Sequence, residues 1–200
     1  MNFLSCPIEV LRKGAHSAKF AGTDESTPSI STVYLFNVSV KLAFMSTNRH
    51  RVYRYISDIA IDHPEQFENG MITAIQFKGI VDSLKSSQVE LAIAVNHLVL
   101  RDRNTIYFGR LMDGNYPQIN HIFDKSKDGA GEISESFPGA RVEEGFPTIK
   151  LNAKFLRDAL LVGDREVKNI ALRTCGVTVP GFIEFVGMHR FLLLSTRSGR

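Results

Sequence analysis

The sequence predicts an α+β protein assembled from three copies of one β-α-β-β-β unit, and three observations carry the prediction. Apolar residues recur at helical spacing over Pro7 to Phe20, Ile75 to Ser86 and Asn152 to Val162. A short β-like segment precedes each of these helices, and alternating or β-branched runs follow it. The helices also superpose. Ile8, Leu11 and Ala15 align with Phe77, Ile80 and Leu84, and Ile80 and Leu84 with Leu156 and Leu160, a register that sets Lys78 on Lys154 and Asp82 on Asp158.

In the first unit, Asn2 to Ser5 leads into a helix opened by Pro7, whose fixed φ suits a first turn, with Ile8, Leu11, Ala15 and Ala18 inward. Ser31 to Val38, Lys41 to Ser46 and Arg51 to Ile59 follow as strands. In the second, Met71 to Ala74 precedes a helix with an apolar stripe of Phe77, Ile80, Val81 and Leu84. Its strands are Val89 to Val95, where Val89, Leu91, Ile93 and Val95 share a face, then His97 to Arg101 and Thr105 to Leu111 around the turn Asp102-Arg103-Asn104. In the third, Thr148 to Leu151 precedes a helix with Asn152 as N-cap and Phe155, Leu156, Ala159 and Leu160 buried. Val167 to Arg173, Gly181 to Val186 and Arg190 to Leu194 complete it. The stretch 124–145, rich in Gly, Ser, Asp, Glu and Lys, reads as a flexible linker between a complete domain over 1–123 and a half domain over 146–200.

Composition narrows the function. Two hundred residues, 44% hydrophobic and 22% charged with a net charge of +3, suit a globular protein with a sizeable core and exclude disordered, collagenous and coiled-coil classes. No apolar run nears the roughly 18 to 20 residues of a membrane span, and the N-terminus lacks the pattern of a secretion signal, so a cytoplasmic protein without membrane partners is expected. Cys6 and Cys175 form no C-x-x-C or Cys/His cluster and are expected reduced and buried.

Catalytic and metal signatures are weak. Asp124, Ser126, Asp128, Gly129 and Glu135 fall at EF-hand ligand positions, yet Gly131 replaces the apolar pairing residue, and Pro117 and Pro138 oppose flanking helices. The histidines (His16, His50, His63, His97, His121 and His189) make no i, i+4 metal pair. Glu65 with Glu68, and Glu143 with Glu144, read as solvated faces, and no P-loop, nucleophile elbow or dinucleotide fingerprint is present. The chain therefore reads as a non-enzyme without metal or cofactor.

Basic residues are the more informative pattern. Arg12, His16 and Lys19 share one face of the first helix, Lys78 and Lys85 one face of the second, and Lys154 and Arg157 one face of the third. Such faces are ordinary solvated surface, or, if the three helices line one surface, a shallow positive track for phosphate contact without base readout. Asp82 and Asp158 moderate it, so binding would be weak and salt-sensitive. STNRHRVYRY, from Ser46 to Tyr55, interleaves Arg49, Arg51 and Arg54 with Tyr53 and Tyr55. It reads as a single-strand stacking platform or as a strand with its basic residues outward.

Three stretches resemble the bacterial sliding clamp, the β subunit of DNA polymerase III. RLMDGNYPQINHIF (Arg110 to Phe123) is similar to the segment closing the family's middle domain, and MSTNRHRV (Met45 to Val52) to its T-D-G-H-R-L strand. IKLNAKFLRDAL (Ile149 to Leu160), with Pro180 to Val186 and the terminal HRFLLLSTR, resembles the later half of the last domain. The resemblance implies a DNA-clamp-like fold, with antiparallel sheets outside and helices inside, acting as a processivity factor on double-stranded DNA. It implies a homo-oligomer, which three units per chain could complete as a tetramer. It also implies docking of DNA polymerase and clamp-loader subunits by short peptide motifs. By motif, the pocket lining is Ile30, Thr47, His50, Arg51, Val52, Pro117, His121, Ile122, Leu192, Leu194, Thr196 and Arg197. The chain departs from the pattern at Asn48 and Arg49, which stand for Asp and Gly, at His121, which stands for Arg, and at Ser195-Thr196. A peptide-docking module without a ring is the alternative, and an enzyme the third class.

Overall fold

The computed structural model describes residues 2–23, 26–119, 132–136, 140–142, 144, 153–161, 169–173, 181–185 and 189–193. The chain divides into two compact units, Met1–Arg49 with Arg54–Pro117, and His50–Tyr53 with Gln118–Arg200.

In the first unit the elements run β1 (Leu4–Pro7), α1 (Ile8–Ala15), β2 (Thr32–Val38), β3 (Lys41–Thr47), β4 (Arg51–Ala60), β5 (Gly70–Thr73), α2 (Ala74–Ser83), β6 (Gln88–Ala94), β7 (His97–Asp102) and β8 (Thr105–Met112). Residues 51–53 of β4 group with the second unit. Two copies of the expected unit are thus present, but they are interlocked. The leading strand of each pairs with the other: β1 lies against β6, with Leu4 opposite Leu91, and β5 against β2, with Val33 opposite Ile72. Both pairings are antiparallel, and the strand order is β1-β6-β7-β8-β5-β2-β3-β4. Two-residue turns join β2 to β3, β6 to β7 and β7 to β8, and three residues join β3 to β4. Ser39 and Val40 between β2 and β3 both take positive φ (49° and 61°), the type I′ combination that follows sheet twist.

The helices are shorter than the apolar periodicity predicts. Pro7 closes β1 instead of opening the helix, and α1 tightens into a 3₁₀ segment at His16–Phe20. There the Ser17 hydroxyl donates to the Gly14 carbonyl at 2.5 Å, competing with the α-helical ladder. Gly14 itself permits a close approach, because a Cβ there would stand 2.7 Å from the Phe44 ring. α2 is capped by Thr73, whose hydroxyl accepts from the Gln76 N–H at 3.4 Å, and ends at Ser83 rather than Ser86. Its continuation is blocked because the Lys85 and Ser86 N–H groups donate to Asp102, at 2.7 and 3.4 Å.

Phe44 centres the core beneath these helices, 5.9 Å from both Phe77 of α2 and Tyr55 of β4 between ring centroids. Leu11, Phe20, Phe44, Tyr55 and Phe77 are all fully enclosed. Each such side chain contributes about 1.5–3 kcal/mol of transfer free energy. Cys6 is buried as expected, and its thiol is pushed up to about 12 by desolvation, while Cys175 lies outside the described residues. The face predicted for Val89, Leu91, Ile93 and Val95 holds only in part: Val89 and Leu91 are buried, but Val95 is 83% exposed in the β6–β7 turn at φ 45°.

The second unit comprises β9 (Glu132–Ser136), β10 (Ala140–Val142), α3 (Ala153–Leu160), β11 (Asn169–Arg173), β12 (Gly181–Phe185) and β13 (His189–Leu193), in the order β13-β12-β11-β9-β10. The stretch 124–145 is therefore not a plain linker. β9 pairs antiparallel with β11, and β10 with β9. The third copy has β11, β12 and β13 where the second has β6, β7 and β8, and β9 takes the edge that β1 takes against β6. A sheet needs that edge paired, and backbone hydrogen bonding overrides a polar composition that by itself favours a loop. Glu135, the last EF-hand position, lies on this strand opposite Ile170; the segment before it, and the expected strand Thr148 to Leu151, lie outside the described residues. On α3, Ala159 is buried, but Leu160, expected inward, is 43% exposed. Among the described residues no helix is long and apolar enough to cross a membrane.

Candidate nucleic-acid interface

In the first unit α1 and α2 pack against one another. Arg12, Lys19, Lys78 and Lys85 are exposed on this helical layer, and His16 is half-buried at the α-to-3₁₀ junction. Two of the charges are partly spent locally. Arg12 meets Glu9 at 2.5 Å, three residues away, and Lys78 meets Asp82, four residues away. Solvated pairs of this kind are worth about 0.2–1 kcal/mol and exchange readily for phosphate. Lys85, beyond the end of α2, is placed by a group from β7. The Asp102 carboxylate accepts from the N–H groups of Lys85 and Ser86 and from the Ser86 hydroxyl. These bonds, that of Lys85 foremost, hold the Asp102 carboxyl below its ordinary range. The D-R-N sequence signals a turn but not this anchoring role.

In the second unit Lys154 and Arg157 are exposed on α3. Asp158 beside them is turned to another purpose: it receives the Arg51 guanidinium at 2.6 Å, with side-chain exposures of 21% and 8%. The guanidinium also lies over the Phe155 ring, 4.7 Å from its centroid, and His50 stacks on the same ring at 6.5 Å. Arg51, expected as a polar edge of the peptide pocket, is thus committed to α3.

The stacking-platform reading of Ser46 to Tyr55 is overturned. Tyr53 and Tyr55 are fully buried, so no base can reach their faces, and Arg51 and Arg54 are buried as well. The rival reading, a strand with its basic residues outward, fails on the same observation. Arg49 alone of these arginines is exposed, and it takes φ 72°. Its N–H donates to the Thr47 hydroxyl at 3.1 Å and its guanidinium to Thr27. Arg49 stands where the resembled pattern has glycine, and its left-handed backbone is held by those two bonds.

Of the other expected pocket residues, Ile30 and Thr47 are buried and Pro117 half-buried in the first unit. His50 is exposed and Val52 buried in the second. Leu192 lies on β13 opposite Phe182. His121, Ile122, Leu194, Thr196 and Arg197 lie outside the described residues. Among the described residues no group of three or more His, Cys, Asp or Glu side chains is placed to hold a metal ion.

No protein-family model matches the sequence, and no curated protein matches it. Solved structures do. The DNA polymerase sliding clamp from Bacillus subtilis is similar over 99% of this chain and 65% of its own, at TM-score 0.78 and 19% identity. The DNA polymerase III β chain from Streptococcus pneumoniae covers 99% and 65%, at 0.77 and 15%. The sliding clamp from Pseudomonas aeruginosa covers 98% and 67%, at 0.81 and 11%. The chain has the fold of bacterial DNA polymerase III β-subunit sliding clamps, and it spans about two thirds of the length of those clamp chains.

Proposed function

We propose that this protein is a sliding-clamp-like processivity factor, a non-enzyme that tethers a DNA polymerase to duplex DNA by nonspecific, topological contact. The observation that carries the reading is the first unit: an interlocked pair of β-α-β-β-β copies with the clamp fold, with Arg12 exposed on α1, Lys19 on the 3₁₀ segment after it, Lys78 on α2 and Lys85 just beyond its end, α1 and α2 packing against one another. Charges on flexible stems, two of them paired at the surface with Glu9 and Asp82, give contacts that follow phosphates without reading bases, so the protein can move along the duplex. His16, Lys154 and Arg157 extend the set. The same reading includes docking of short partner peptides, with Ile30, Thr47 and Pro117 of the first unit among the residues expected to line their pocket.

The alternative reading is a peptide-docking module that forms no ring and competes with a full-length clamp. One experiment separates the two. The mass in solution is measured together with retention on nicked circular DNA before and after linearisation. An oligomer retained on the circle and released by cutting supports the clamp. A strict monomer that is not retained sinks it and leaves the docking module, which a clamp-motif peptide binding the monomer would then support.

A further inference from the structure

The first unit contains a cavity of about 80 Å³ remote in character from the basic helices. Phe3, Leu4, Ile61, Phe67 and Ile93 form its apolar lining, and Asn2, Asp62, His63 and Gln66 its polar lining. The walls are held in place. The Asn2 amide donates to Gln66, tying the chain ahead of β1 to the 3₁₀ turn Pro64–Gln66. The Arg101 guanidinium lies 4.5 Å from the Phe3 ring centroid and is itself paired with Glu90.

The charge around this cavity opposes that of the helices. From Tyr55 to Phe77 the sequence has four carboxylates, Asp58, Asp62, Glu65 and Glu68, and no lysine or arginine. Lys41 meets Asp58 at 3.2 Å, and the His63 ring is 3.5 Å from Glu65, while Asp62 and Glu68 flank the Ile61–Phe67 lining, both exposed. Phosphate is repelled from such a rim and a cationic segment is drawn to it. The cavity is about half the roughly 150 Å³ that accepts a benzene ring, so its occupant is a branched aliphatic side chain rather than an aromatic one.

We infer that this cavity is a docking site for a basic peptide segment of a partner protein, anchored by one leucine- or isoleucine-sized side chain with lysine or arginine beside it. The anchor removes apolar surface from water, and the carboxylates select its neighbours. The test uses the full chain and a fluorescein-labelled nonapeptide with one leucine between two pairs of lysines, read by anisotropy. Saturable binding is expected, at least tenfold weaker when alanine replaces the leucine and lost when glutamates replace the lysines. Asp62→Lys, at an exposed position, and Phe67→Ala should each weaken binding at least fivefold while retention on nicked circular DNA stays unchanged. The methyl resonances of Ile61 and Ile93 should move on titration. Equal binding of the leucine and alanine peptides, an unchanged affinity in Asp62→Lys, or unmoved Ile61 and Ile93 methyls would each overturn the site.

Discussion

Helices α2 and α3 carry the same charged spacing and use it in opposite ways. Lys78 and Asp82 of α2 pair with one another in solvent, both more than half exposed. In α3 the matching Asp158 receives Arg51, and the pair is largely withdrawn from water. The apolar ends differ in the same sense, since Leu84 after α2 is buried whereas Leu160 of α3 is 43% exposed. An i, i+4 lysine–aspartate spacing therefore does not set what the aspartate does. A third residue, brought from a distant strand, decides it. The energies separate accordingly: a few tenths of a kcal/mol for the solvated pair, and several for truncating one partner of the buried one.

The contrast is broken most severely at Arg51. Arg51→Ala is expected to cost about 3 kcal/mol in denaturant unfolding, because it leaves Asp158 without its guanidinium and Phe155 without its stacked cation. The double replacement Arg51→Met with Asp158→Leu should recover most of that loss; a cost below about 0.5 kcal/mol for Arg51→Ala would place both helices in the solvated class.

Next in size comes the end of α2, where Asp102 takes the N–H groups that follow the helix. A carboxyl held below its ordinary value adds stability that is complete above the unfolded-state pKa near 4 and is lost as pH falls through the lower folded-state value. Stability measured from pH 6 downward should therefore show an acid limb below about pH 4 that Asp102→Asn lacks. The same variant should weaken DNA retention through Lys85.

Smaller effects sharpen the picture. Arg49→Gly, two residues before Arg51, relieves a left-handed backbone and should raise stability by up to about 1 kcal/mol, read as a higher denaturant midpoint at unchanged slope. Smallest is Asp82→Asn, expected to change stability by less than about 0.5 kcal/mol while increasing DNA retention at low salt, because Lys78 loses its competing partner. A stability loss as large as that of Arg51→Ala would erase the distinction between the helices.

Much of the fold was legible in local pattern. The three helices and the strands after them follow from repeats of 3.6 and 2 residues, and the burial of Leu11, Phe77, Val81 and Leu91 follows from the faces those periods define. The exposed positions of Arg12, Lys19, Lys78 and Lys85 were legible for the same reason, since they lie opposite those faces. Boundaries were less so. Gly14 with Ser17, and Asp102 with Lys85, end or tighten helices through contacts that no periodicity encodes.

What the sequence by itself determined is the order of the three helices and the strands that follow them, and most of their apolar faces, because both depend on neighbours a few residues away. Only the tertiary structure decided the exchange of β1 and β5 between the two copies, the conversion of 132–136 from linker to strand, and the burial of Tyr53 and Tyr55. It also decided the transfer of Asp158 from the surface of α3 to Arg51. Each of these depends on partners far apart in the chain. A backbone hydrogen bond or an ion pair is priced by the water it excludes, and that price is set when distant segments meet.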